Sequence, residues 1–199
     1  MNKNRCKWCV GIPIYEAYHD HEWGVPVYDD QKLFEFLILE TFQAGLSWIT
    51  ILKKRENFRL AFDQFDYQKI SLYSETKIQE LLQDAGIIRN QLKVRATITN
   101  AIAFMEVQKE FGSFSKYIWQ FTDGKPIVNQ PQTMKDISAT TPLSDAISKD
   151  LKKRGWKFVG PTTVYSFMQS MGLVNDHVDG CLVRGDCETA RKSTVAARK

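Results

Sequence analysis

The sequence predicts an all-α fold. Three observations lead there. Apolar residues recur at helical spacing along most of the chain. The periodic stretches are bounded by capping residues and by Gly or Pro. Alternating patterns that would mark strands are weak throughout. The first clear helix runs through Leu33 to Glu40, capped by Asp29 or Asp30, with Gly45 as its break. A second starts near Ser47 and carries Trp48, Ile49, Ile51 and Leu52. Residues 76–84 form a third, stopped by Gly86. Residues 91–110 form the longest, with Leu92, Val94, Ile98, Ile102 and Met105 suited to burial. A short helix includes Tyr117, Ile118 and Trp119. The stretch from Thr122 to Thr141 is rich in turn formers and reads as a surface loop. Residues 143–154 form another helix, stopped by Gly155. Pro161 takes the favoured first position of the last helix, which ends at Gly172.

At 199 residues the chain can bury a sizeable core in one or two domains. Its 43% hydrophobic and 25% charged residues exclude a mostly disordered chain. No apolar run reaches the length of a membrane span, so no membrane partner is expected. The N-terminus lacks an apolar signal core, and the expected location is cytoplasmic. A monomer is the default expectation. The net charge of +4 is unevenly placed. Residues 184–199 hold five basic residues and two acids, which leaves the body near neutral. Residues 1–183 read as one unit, and 184–199 as a flexible basic tail. Two local basic clusters remain in the body: Lys53-Lys54-Arg55, and Lys149 to Lys157. Either is ordinarily a solvated helix end.

All four Cys and all three His fall in residues 1–21 or 177–187. Clustered Cys and His in an intracellular chain suggest a metal rather than disulfides. His177 and Cys181 are spaced i, i+4, which on a helix puts imidazole and thiolate on one face. A tetrahedral Zn²⁺ needs two more ligands. Cys6 or Cys9, with His19 or His21, can supply them if the chain ends meet. Four protein ligands would leave no position for water, so the zinc would fasten the ends. Free thiols and surface histidines are the plainer alternative.

Residues 143–172 read as helix, short turn, helix. Two glycines in the turn, Gly155 and Gly160, let the backbone approach a ligand closely, and Pro161 opens a helix N-terminus. Unpaired N–H groups there form an anion site. Beside Lys153, Arg154 and Lys157, that anion fits a DNA phosphate, which positions a duplex without reading its sequence. A helical hairpin in the core with solvated lysines is the alternative.

Glu40 is the one charge on the stripe Leu33, Leu37, Glu40, Ala44. Glu35 lies well around the helix and is expected to reach solvent. A carboxylate on an apolar face must be paired, hydrogen-bonded or shifted in pKa. It is either a satisfied core Glu or the lining of a pocket for a polar or cationic ligand. Tyr15, Tyr18 and Trp23 crowd the N-terminal segment, and Trp48 follows the break after Glu40. Aromatic walls with one anion suit a flat, cationic ring. Core packing is the commoner fate of each aromatic taken singly.

These residues resemble the DNA-3-methyladenine glycosylase I family. The matching stretches run from Tyr15 to Pro26, Gln43 to Thr50, Lys152 to Gly160 and Asn175 to Val178. The resemblance covers about residues 5–183. It implies the helix–hairpin–helix DNA glycosylase fold, with one structural zinc held by Cys6, His19, His177 and Cys181. It implies excision of 3-methyladenine from alkylated double-stranded DNA, with the free base as product. The base pocket carries over to Glu40, Tyr15, Tyr18 and Trp48, with Trp8 and Trp23 nearby. Leu46, or Gln43 beside it, would fill the gap left by the flipped nucleotide. Lys153, Lys157 and Gly160 would grip the backbone.

Two departures from the wider superfamily stand out. Asn175 occupies the place where many relatives carry an assisting Asp. Val159-Gly160 is followed by Pro161-Thr162, with no Schiff-base lysine. The expectation is a monofunctional enzyme without lyase activity. Rival readings are a lesion binder without turnover, a zinc hydrolase of small molecules, and a glycosylase for another lesion.

Overall fold

The structure is a computed structural model and describes residues 4–187. The helices are α1 (Pro13–His21), α2 (Asp30–Gln43), α3 (Trp48–Ala61), α4 (Tyr67–Ile70), α5 (Glu75–Gln83), α6 (Gln91–Phe111), α7 (Phe114–Trp119), α8 (Pro142–Lys153) and α9 (Pro161–Ser170). Two short segments, β1 (Ile127–Val128) and β2 (Val174–Asn175), pair in parallel. The helical class matches the sequence reading. Helices α1 and α4 and the β1–β2 pair carry too few periodic residues to be read from pattern.

Helix α2 forms the centre of the molecule. The Asp29 carboxylate caps it, accepting from Lys32 N at 2.8 Å. Every residue from Leu33 to Phe42 is buried. A helix covered on all sides has no solvent face. That is why Glu35, expected in solvent, is buried too: its carboxylate pairs with Arg59 at 2.6 Å, with Lys32 nearby at 3.6 Å. At the far end the buried Lys93 ammonium donates to Phe42 O at 2.8 Å and Ala44 O at 2.6 Å. A cation there satisfies orphan carbonyls and suits the helix dipole.

Helix α6 buries part of the expected stripe, Val94 fully and Ile98 in part, and departs from it elsewhere. Val94, Thr97, Ala101, Phe104 and Val107 face inward, while Leu92 is 69% and Ile102 47% exposed. The apolar residues of α6 fall on more than one face, and packing against α2, α4, α5 and α7 selects the inner one. Phe104 joins Phe34, Phe114 and Trp156 in an aromatic chain with ring separations of 4.5–6.3 Å. Asp30 accepts from the Phe114 and Ser115 amides at 2.9 and 2.8 Å, so α2 helps cap α7.

Helices α8 and α9 pack against each other as the expected hairpin, and α9 packs against α2. A capping box joins Thr141 and Ser144 at the start of α8. Past α9 the chain turns at Gly172, where φ is +67° and a Cβ would lie 2.4 Å from backbone atoms of Val25 and Pro26. Only glycine allows that approach. The chain then runs through β2 back to the N-terminal segment. Cys187, beyond the expected boundary at 183, is buried beside Gly24. The rest of the expected tail lies outside the described residues. No helix among the described residues is long and apolar enough to cross a membrane.

Candidate active site and metal centre

A cavity of about 280 Å³ opens where α1, α2, α3 and α9 converge. Six of the expected base-site residues line it: Glu40, Tyr15, Tyr18, Trp48, Trp8 and Trp23. Gln43 lines it as well. Helix α1 supplies both tyrosines, three residues apart and so on one face. Trp8 makes edge contacts with Tyr15 at 4.7 Å and Trp23 at 5.2 Å, and Tyr18 lies 5.4 Å from Trp48. The walls are thus indole and phenol rings locked against one another.

Glu40 brings the one carboxyl group to this lining. Burial pushes its carboxyl up to about 8, opposed in part by Ser170 of α9. Its Oε2 has no hydrogen-bond partner among the described residues, and neither has Trp48 Nε1. A buried acceptor and a buried donor left open beside one cavity are costly unless a ligand meets them. Burial, with the Glu40 charge adding to it, also raises Tyr15 and Tyr18, which keep their protons.

The loop read as surface does more than connect helices. Met134, Ile137, Ser138 and Ala139 complete the cavity wall, and so do Thr162, Tyr165, Ser166 and Gln169 of α9. Sequence reasoning missed all eight. No periodicity marks a loop residue, and α9 reads only as the second arm of a hairpin. Leu46 stands apart from the cavity lining, 42% exposed on the turn between α2 and α3 where Gly45 takes φ +81°.

Cys6, His19, His177 and Cys181 converge, all buried, with their ligand atoms within 4.8 Å of one another. Cys181 Sγ lies 3.4 Å from both His19 Nε2 and His177 Nδ1, and Cys6 Sγ lies 3.7 Å from His177 Nδ1. Tetrahedral Zn²⁺ with ordinary Zn–S and Zn–N bonds separates S from N by about 3.5 Å, so the donor set fits. The outer nitrogens are satisfied as metal-bound histidines require. His19 Nδ1 meets Asp20 at 2.8 Å, and His177 Nε2 donates to Trp23 O at 3.0 Å. Arg5 holds the Asp20 carboxylate in a fork at 2.7–3.0 Å. Hydrogen bonding from Cys6 and from both imidazoles holds Cys181 well below the usual thiol range.

The two competing ligands are accounted for. Cys9 donates its thiol to Cys6 O at 3.1 Å, and His21 is exposed beside another surface hollow. One expectation changes. His177 and Cys181 do not share a helix: they flank a turn closed by Cys181 N to Val178 O, with Gly180 at φ +74°. The turn brings the two side chains together as a helix would.

In the hairpin turn, Lys153 and Lys157 are exposed and Gly160 is the N-cap of α9 with no side-chain cap. Arg154 differs from expectation: it pairs with Asp150 and Glu110 and lies over Phe111 and Tyr117. The first basic cluster is also engaged, Arg55 with Glu22 at 2.6 Å and Lys54 with Ala85 O at 2.8 Å. The turn backbone is held by Asn100 of α6, which accepts from Lys157 N at 2.8 Å and donates to Lys157 O at 3.1 Å.

The methyladenine glycosylase family model matches residues 8–184. The chain belongs to the methyladenine glycosylase family. The DNA-3-methyladenine glycosylase 1 of Escherichia coli is 53% identical over 89% of this chain and 95% of its own length. A crystal structure of 3-methyladenine DNA glycosylase I superposes with a TM-score of 0.87 at 52% identity, covering 89% of this chain and 98% of that one. A Staphylococcus aureus glycosylase, solved to show the structural basis of 3-methyladenine recognition, is 38% identical with a TM-score of 0.87 over 90% and 95% of the two chains. The protein is therefore a glycosylase. In it, α9 runs from the hairpin turn to the cavity wall, a span of about 15 Å for its 10 residues.

Proposed function

We propose that this glycosylase flips 3-methyladenine out of alkylated duplex DNA and hydrolyses its N-glycosidic bond, leaving an abasic site. The observation that carries the reading is Glu40: a buried carboxylate with an open oxygen in an aromatic cavity. The methylated base is flat and cationic and carries one amino donor, which matches that lining. Because the base already carries positive charge, it leaves readily and the pocket supplies less barrier lowering. Glu40 accepts from the base. Trp48, Tyr15 and Tyr18 stack on or flank it, with Trp8 and Trp23 behind. Lys153, Lys157 and the free amides after Gly160 hold phosphates. Leu46, or Gln43 beside it, serves as the wedge that fills the vacated stack. Cys6, His19, His177 and Cys181 hold Zn²⁺, which in a closed four-ligand site supplies structure alone.

The test is chromatography of bases released from methylated duplex DNA, with the strands examined before and after alkali. Free 3-methyladenine with strands intact until alkali is expected. Bound lesion DNA without release would make the protein a binder. Incision without alkali would contradict the monofunctional assignment.

A further inference from the structure

Asp176 is buried and sits directly behind the cavity wall. Its Oδ2 accepts from the Tyr165 hydroxyl at 2.7 Å and from Gln169 Nε2 at 2.8 Å. Its Oδ1 accepts from Asn129 Nδ2 at 2.7 Å. Tyr165 and Gln169 both line the cavity. A carboxylate can only accept, so each neighbour must turn a proton toward it. Tyr165 has one proton and gives it to Asp176, so the phenol keeps no proton for a ligand. The Gln169 amide is oriented the same way, amino end to Asp176 and carbonyl end away. Asn175, which takes the place of the superfamily's assisting Asp, is turned elsewhere: it accepts from His177 N and donates to Arg184 O.

Resting on the reading of this cavity as the base site, we propose that Asp176 is a positioning residue that sets the specificity of the site. By taking the Tyr165 proton and the amino end of Gln169, it leaves these two side chains acceptor character to offer a ligand, beside the Thr162 and Ser166 hydroxyls, which can turn either way. Such acceptors meet the 6-amino donor of an adenine and oppose the 6-carbonyl acceptor of a guanine. The rejection matters because methylation at N3 makes both purines cationic and both labile. Charge and stacking cannot separate them, and hydrogen-bond polarity can. His177 follows Asp176 in the chain, so the metal clasp also fixes the residue that polarises the wall.

Asp176→Asn tests this by reversing the polarity. Asn129 donates to Asp176 Oδ1, and with that orientation kept the new amide turns its oxygen to Asn129 and its amino group to Tyr165 and Gln169. The tyrosine proton and the glutamine amino group are then displaced toward the cavity. Tyr165→Phe decides where Asn129 turns over to accept instead. The readout is the ratio of 3-methyladenine to 3-methylguanine released from one methylated DNA sample. A lower fraction of folded enzyme slows both and leaves the ratio alone. The variant is expected to lower the ratio about tenfold, the scale of one hydrogen bond replaced by a repulsion. Tyr165→Phe, which leaves Asp176 in place, is expected to lower it less and decides the matter if Asp176→Asn does not fold. An unchanged ratio in every variant that folds would overturn the proposal. Wild-type protein that releases neither base would instead overturn the function on which it rests.

Discussion

Burial decides the chemistry of Glu40. With a pKa near 8 its carboxyl is mostly neutral at pH 7 in the empty site. A cationic base reverses that balance, since an adjacent positive charge favours the carboxylate. Competence should therefore rise with pH as Glu40 ionises, with a limb near pH 8. Stability runs the other way. The folded pKa lies above the ordinary carboxylate value, so the stability of the neutral form is complete below about pH 4.3 and is lost as pH rises through about 8. Glu40 is legible in the sequence because a single charge on an apolar stripe contradicts its surroundings. Glu35, five residues earlier, is not, because the pattern does not show that α2 is enclosed on every side. Asp176 is not legible either, since a carboxylate's partners on distant segments leave no local trace.

At the scale of elements, turn chemistry is the most readable signal. Asp29, Gly155, Pro161 and Gly172 mark helix ends and turns in the structure much as the sequence places them. Gly172 carries an added burden, because α9 must turn there while the Val25–Pro26 backbone lies against it. Gly172→Ala should cost roughly 2–4 kcal/mol, from a strained φ together with a backbone clash. Denaturant unfolding measures this, and a loss below about 0.5 kcal/mol would show that the turn relaxes freely. The pattern does not carry the arrangement between elements. The Asn100 hold on the hairpin and the Lys93 cap on α2 join residues more than 45 positions apart. The loop wall of the cavity is invisible for the same reason, because its role follows from where it lands.

Across the whole molecule, the chain closes on itself. The N-terminal segment supplies Cys6, His19 and most of the aromatic wall, and the C-terminal segment supplies His177 and Cys181. Trp8 and Trp23 touch both sites, Trp8 lying 5.4 Å from His19 and Trp23 4.6 Å from His177. The confinement of Cys and His to the two ends makes this closure legible in the sequence. The choice of Cys6 over Cys9, and of His19 over His21, is not legible there, because these residues differ only in where they point. Removing the metal with a chelator should lower Tm markedly and reduce activity in step with the unfolded fraction. Differential scanning fluorimetry run beside base release checks this. Full retention of folding with abrupt loss of release would assign the metal to the chemistry instead.

In the proposed function the open carboxylate of Glu40 takes the excised base. Release of 3-methyladenine by wild type and Glu40→Gln is measured from about pH 6 to pH 9 as kcat/KM, with DNA well below saturation, so that the profile reports the empty site. Losing one buried charge-assisted contact should slow release about 10–150-fold and abolish the limb near pH 8. Equal rates and matching pH profiles for the two proteins would contradict the account.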